Sequence, residues 1–246
     1  MTAIFQKQVP YDTSRSRLPG VKGFKLSEWL TRDEAFAEQI ALREVLLRKR
    51  RDEVLAVTDA GREAADELMH YVLDWLATHD PGYRVTSNSV IRPDGKAVTL
   101  DPRDPLGTLG VLVQEDLCLL DTESNEHKLV AAVVCFPANW RLAEKIGRPL
   151  VGIHDPVPEY DATLAKRVQR LFDAVEIDQP IWRFNALDYY HPDLFQPERR
   201  ENDYAHTDER ATYPYFRSER QCILRLPQTR ACVFSIHTFV LEKSKR

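Results

Sequence analysis

The sequence predicts an α+β fold: an antiparallel sheet interrupted by a helical insert, with a helical layer ahead of it. Three observations lead there. Apolar residues recur at helical spacing from Phe36 to Leu76, and the period becomes strand-like from Tyr83. A second helical interval then separates one strand pair from three later strands. The division that follows is an N-terminal arm with helices packing on the core over residues 1–82, and a sheet-bearing unit over 83–246.

Composition narrows the function classes. The chain has 246 residues, 43% apolar and 29% charged, which is ordinary for a soluble globular protein with a sizeable core. A net charge of −4 argues against a general nucleic-acid binder. No basic start followed by an apolar run opens the chain, and the longest apolar run, Leu129–Phe136, is far short of the ~20 residues a membrane span needs. Cys118, Cys135, Cys222 and Cys232 have no metal-like spacing and sit in apolar runs, as small buried hydrophobes do. The expected location is the cytoplasm.

Residues 1–25 read as an extended arm that Phe5, Tyr11 and Phe24 can pack down. Thr31–Glu34 forms a capping box, and behind it Phe36, Ile40 and Leu47 recur with Leu42, Val45 and Leu46. Arg48–Arg51 suit a solvated helix end. Thr58 or Asp59 caps a second helix with Ala64, Leu68, Val72, Trp75 and Leu76 on one face, ending at the turn-forming His79–Gly82. Two helices with one apolar stripe each must cover something.

Val85–Ile91 and Ala97–Leu100 flank a turn at Pro93–Gly95, and Asp101–Gly110 reads as loop. Asp116–Leu120 and Lys128–Phe136 form a hairpin across the polar turn Asp121–Glu126. Arg141–Ile146 and Asp161–Val175 are helical, the second capped by Asp161 and apolar at Leu164, Val168, Leu171, Phe172 and Val175. Pro180–Leu187 is a strand, Asp188–Pro214 a Tyr- and charge-rich loop, and Arg220–Leu226 with Ala231–Leu241 close the chain around Pro227–Arg230. A strand pair, a helical insert and three strands is the element order of a PAS domain, whose sheet grips a ligand against the intervening helices.

Two stretches carry chemistry. Cys135–Pro158, CFPANWRLAEKIGRPLVGIHDPVP, leaves a strand, turns at a proline, makes a short helix ended by Gly147, and delivers His154 before a proline-rich stop. In Arg217–Thr238, RSERQCILRLPQTRACVFSIHT, alternation puts Glu219, Gln221, Ile223 and Arg225 on one face and Arg220, Cys222 and Leu224 on the other. Charges at the start of an apolar strand pair with each other or line a pocket. Glu219 with Tyr189 or Tyr190 suits a small cationic amine, and an arginine suits an anionic oxygen ligand. Asn185, in Trp182–Asn185, can hydrogen-bond in a pocket or satisfy the backbone.

Both stretches resemble the haem-binding subunit of the bacterial haem-dependent oxidative N-demethylases, whose members carry a similar Trp, Lys-Ile/Leu-Gly-Arg-Pro and Ile-His run before Pro-Val-Pro. The resemblance spans roughly the whole chain. It implies a PAS-like pocket for haem b with His154 as the iron ligand, Lys145 and Arg148 toward the propionates and Trp140 as a wall. Glu219, Arg220, Arg225 and Asn185 are then the catalytic candidates. The implied reaction uses O₂ and electrons from separate flavin and iron–sulfur components. It converts a small secondary N-methylamine of the dimethylamine type to formaldehyde and a primary amine, with no nucleic-acid or membrane partner.

Blander and rival readings stand beside these. Lys145 and Arg148 also fit the polar face of a short helix, Trp140 fits a core, and Glu219 with its arginines fits a structural ion pair. A haem-PAS sensor or gas-binding module without turnover is the main alternative, and a PAS-like pocket for a metabolite without haem is another. His206 and Asp208, with His191 or His237, write a two-His-one-carboxylate iron set on paper. Gly107–Gly110 lacks the third glycine and the strand-turn-helix setting of a dinucleotide fingerprint, and neither a P-loop nor a GxSxG elbow occurs.

Overall fold

The computed structural model describes residues 3–14, 20–121, 126–154, 162–198, 200 and 212–243, with backbone alone at 151, 154 and 162–166. The arm lies against the last strands: the Gln6 N–H donates to Val240 O at 2.9 Å, and the Val240 N–H returns to Gln6 Oε1. Tyr11 packs edge-on to Trp182 and Phe239 with its hydroxyl 2.9 Å from Ser218 Oγ. The arm ends in β1 (Lys22–Gly23), and Trp29, fully buried, donates from Nε1 to Ser235 Oγ.

Helix α1 (Phe36–Lys49) carries the expected apolar stripe, with Arg48–Arg51 exposed at its end. The capping box does not form. Glu115 Oε1 accepts the Thr31 N–H, Glu34 Oε1 accepts the Lys7 N–H, and Asp33 accepts from Ala35 instead. The helix start is tied to the arm and the sheet, and those longer-range partners outcompete the local motif. A single turn α2 (Arg51–Val54) and β2 (Leu55–Val57) lead to α3 (Arg62–His79), which buries Ala64, Leu68, Val72, Trp75 and Leu76. Neither Thr58 nor Asp59 caps it: the Thr58 hydroxyl donates to Val130 O, and Asp59 pairs with Arg62 at the surface.

Strands β3 (Arg84–Val85), β4 (Ser89–Ile91) and β5 (Ala97–Thr99) form a small separate antiparallel sheet. The stretch expected as loop contains a buried helix, α4 (Pro105–Gly110). Asp104 supplies its N-cap, accepting from the Gly107 N–H, and Pro105 supplies a pre-set first position, so the turn formers here start a helix.

The hairpin is β6 (Asp116–Asp121) with β7 (Lys128–Val133). The insert holds α5 (Leu150–His154) and α6 (Ala162–Ala174), and β8 (Ile181–Tyr189), β9 (Tyr215–Arg225) and β10 (Cys232–Glu242) close the sheet. Asp161 lies outside the described residues. Among the described residues the strand pairs of this sheet are antiparallel, in the order β1-β8-β9-β10-β6-β7-β2. The hairpin thus sits beside the last strand, and the insert connects β7 to β8 towards the opposite end of the sheet.

Each face of this sheet has its own cover. One main cluster joins Ile40, Leu68 and Leu76 of the helices to Leu117, Val133, Cys222, Leu224 and Val233. On the other face Phe172 and Val175 pack on Ile223, Cys232 and Leu120, while Leu142 and Leu150 bring in the insert. All four cysteines are buried free thiols.

Candidate functional site

The insert is sewn to the hairpin by backbone. The Gly147 N–H donates to Leu129 O at 2.7 Å, Leu129 N–H to Arg148 O at 3.0 Å, and Leu150 N–H to His127 O at 2.9 Å. Gly147 makes this possible at φ 76, a left-handed conformation that ends the preceding turn of Leu142–Glu144. Helix α5 therefore starts at the sheet edge and ends at His154. Ile153, one residue earlier, packs with Trp140, Ile146 and Phe234 over Ala132 and Leu142. These four apolar side chains are only partly buried. His154 itself is described in backbone alone, so the position of its ring lies outside the described residues.

The other expected residues fall in different places. Lys145 is buried, and its Nζ donates to Ile153 O, which fixes the carbonyl just before His154. Arg148 extends from the same segment and is exposed, and Trp140 is half-buried beside the insert. Asn185 is the register partner of Glu219 on the insert face, with its backbone carbonyl accepting from Ser218 Oγ.

Glu219 is not a free carboxylate. Arg217 Nε donates to its Oε1 at 3.1 Å and Gln221 Nε2 to its Oε2 at 3.2 Å. Arg217, itself buried, also donates to Leu194 O and Phe136 O, and its guanidinium lies over Tyr189. Tyr189 therefore serves Arg217, and Tyr190 stands 44% exposed against Tyr213 and His191.

Arg220 and Arg225 are structural. Alternation sends Arg220 through to the arm side, where it donates to Trp29 O and Glu28 O between Phe24 and Trp182. The sheet separates it from Glu219. Arg225 shares the Glu219 face but donates to Phe172 O, Val175 O and Arg230 O, capping the C-terminal end of α6. Sequence reasoning missed Arg183, which donates from Nη1 to Gln221 Oε1 at 2.9 Å. The signal was available, since Arg183 alternates with Asn185 in the expected strand Pro180–Leu187 and so shares its face.

The rival iron set finds no support in His237. Its Nε2 lies 3.0 Å from Asp33 Oδ2 and its Nδ1 3.2 Å from Glu115 Oε1, so both ring nitrogens are engaged with carboxylates. His206 and Asp208 lie outside the described residues, and among the described residues no His/Cys/Asp/Glu group is arranged to hold a metal. His127 Nε2 is occupied by Asp173 at 3.0 Å.

The His237 clamp makes stability depend on pH. Burial alone would lower the imidazole, but Asp33 and Glu115 outweigh it and raise His237 to about 9. Burial also pushes the Asp33 carboxyl up, yet hydrogen bonds from His237, Gln114 and Gln6 hold it at about 2. A raised histidine stabilises the fold fully below its unfolded value of 6.5, and that contribution is lost as pH rises through about 9. Urea midpoints are therefore expected to fall over this window, and His237→Gln to flatten the dependence while lowering stability at neutral pH. An unchanged slope in the variant would place the dependence elsewhere.

A groove of about 440 Å³ also occurs among the described residues, between Ile4, Arg50, Phe195 and Arg200. It opens beside the arm and α1, and its arginines are paired, Arg50 with Glu53 and Arg200 with Asp193. The insert face, with its half-buried apolar row and its chain of polar side chains, is the better candidate. No helix among the described residues is long and apolar enough to cross a membrane. A family model described as haem-dependent oxidative N-demethylase, alpha subunit-like, matches residues 20–245.

Proposed function

The chain belongs to the haem-dependent oxidative N-demethylase, alpha subunit-like family, and from that premise we propose that it is the oxygenase component oxidising the N-methyl group of a small secondary amine. The observation that carries the reading is the stitching of Gly147–Leu150 to His127–Leu129, which delivers α5, ending at His154, to an apolar face of the sheet. The strand order β7-β6-β10-β9-β8 supports a PAS-like pocket there, because the hairpin and the last three strands form one antiparallel sheet with the insert packed on one of its faces.

The residues present fit a haem. Trp140, Ile146, Ile153 and Phe234 are apolar and only partly covered, as the lining of a flat macrocycle slot would be. Arg183 and the exposed Arg148 are cations suited to carboxylates. His154 would be the residue that holds the haem iron, with Lys145 bonded to the preceding carbonyl and fixing the backbone from which it extends. Haem b, when bound, would supply O₂ activation, with electrons from separate flavin and iron–sulfur proteins. The chain itself would orient the amine, exclude water with its apolar row, and hold polar contacts through Asn185 and the Glu219 row. The products are then formaldehyde and a primary amine. Four buried free thiols suit a reducing compartment, and we place the protein in the cytoplasm.

The test is an absorption spectrum of protein produced with ample haem precursor, oxidised and then reduced with dithionite. A Soret band that shifts on reduction, and again with dimethylamine, is expected. Formaldehyde released from dimethylamine with a surrogate reductant then marks an oxygenase, and a haem signal without release marks a sensor. A featureless spectrum after reconstitution would sink the reading.

A further inference from the structure

We infer that Arg183 anchors a carboxylate carried by the ligand of the insert face. The inference rests on the reading of that face as the ligand pocket and adds to it a recognition element of defined charge. Alternation along β8 and β9 places Arg183, Asn185, Glu219 and Gln221 on one side of the sheet. Three hydrogen bonds join Arg217, Glu219, Gln221 and Arg183 in a row: Arg217 Nε to Glu219 Oε1, Gln221 Nε2 to Glu219 Oε2, and Arg183 Nη1 to Gln221 Oε1.

The row has a direction. Glu219 accepts on both oxygens, so the Gln221 amide must turn its nitrogen to Glu219 and its oxygen to Arg183. Arg183 is the end of the chain: among the described residues its guanidinium makes this one hydrogen bond, leaving most of its five N–H donors for something else. Two guanidiniums against one carboxylate leave the row with an uncompensated positive charge. That charge is half-buried, and burial pushes the Arg183 guanidinium down from its ordinary value against the pull of Glu219. A partly desolvated cation with free donors is best satisfied by an anion, and the planar fork matches a carboxylate.

A second feature points into the same place. Thr238, the register partner of Glu219 on β10, is 1% exposed, and its Oγ1 has no hydrogen-bond partner among the described residues. It gives the face a further buried donor beside the arginine row. Glu219, which sequence reasoning nominated as the counter-ion of an amine, is neutralised by this arrangement. The face therefore selects for negative charge.

A carboxylate has two sources here: a haem propionate, or an acid group on the amine substrate. Titrations of wild type, Arg183→Gln and Arg183→Lys with haem b and with haem dimethyl ester, read by absorbance, separate them. A propionate contact predicts that wild type prefers haem b over the ester by about tenfold or more, as loss of a charge-assisted hydrogen bond implies. Arg183→Gln then loses the preference and Arg183→Lys keeps part of it, with circular dichroism showing both folded. A substrate contact predicts equal haem binding, with a Soret shift from N-methylglycine seen in wild type and lost in Arg183→Gln. Equal behaviour of wild type and Arg183→Gln in both arms would overturn the anchor. A wild-type chain that takes up no haem overturns the haem reading instead. The anchor is then decided on apoprotein by whether millimolar N-methylglycine raises the melting temperature of wild type but not of Arg183→Gln, and no difference rejects it.

Discussion

His154→Ala is expected to lose most of its bound haem, seen as disappearance of the Soret band after gel filtration, and to regain it when imidazole is added. The expectation follows from how the chain delivers that residue. Helix α5 has only five residues, too few to be stable alone, so its position comes from its attachments. Leu150 N–H binds His127 O at one end and Lys145 Nζ binds Ile153 O at the other. A backbone held on both sides changes little when one side chain is truncated, so the fold should survive while the proposed iron-binding side chain is lost. Rescue by imidazole distinguishes a missing ligand from a damaged pocket. Full haem occupancy with an unchanged spectrum would remove His154 from the role.

The largest stability effect is expected at Arg43. Its side chain is fully buried, and it donates to Gly110 O, Gln114 O and Glu115 O as well as to Asp116 Oδ1 at 2.7 Å. Asp116 in turn accepts the N–H groups of Cys135 and Phe136, where the chain leaves β7 for the insert. Burial pushes the Asp116 carboxyl up, and Arg43 with these two amides pulls against it. Arg43→Met leaves a buried carboxylate without its cation and three carbonyls without a donor, and should cost about 3–5 kcal/mol. Chemical denaturation measures this directly. The double variant Arg43→Met, Asp116→Leu should recover part of the loss by removing the orphaned charge, but not all of it, since the two amides lose their acceptor. A loss below about 1 kcal/mol would show that the site relaxes enough for water to replace the guanidinium.

The same network explains where sequence reasoning stopped. Phe36, Ile40 and Leu47 were legible as one helix face because their spacing is local, and Arg43 lies on that stripe. Nothing local says that a charge there is buried and paired, because its carboxylate is 73 residues away. The capping box failed for a related reason: Thr31 and Glu34 met stronger claims from Glu115 and from the arm.

By itself the sequence determined the order of elements: two amphipathic helices, a hairpin, a helical interval carrying His154, and three strands, along with the two faces of β9. Periodicity and turn chemistry act over a few residues, and they survive unless a distant partner competes. Only the tertiary structure decided what each charged side chain does. It put Arg220 on the arm and Arg225 on α6, closed Glu219 between Arg217 and Gln221, and left Arg183 at the end of the row. Burial makes most polar groups find a partner, and which partners are within reach depends on strand register, which spans 38 residues between Arg183 and Gln221.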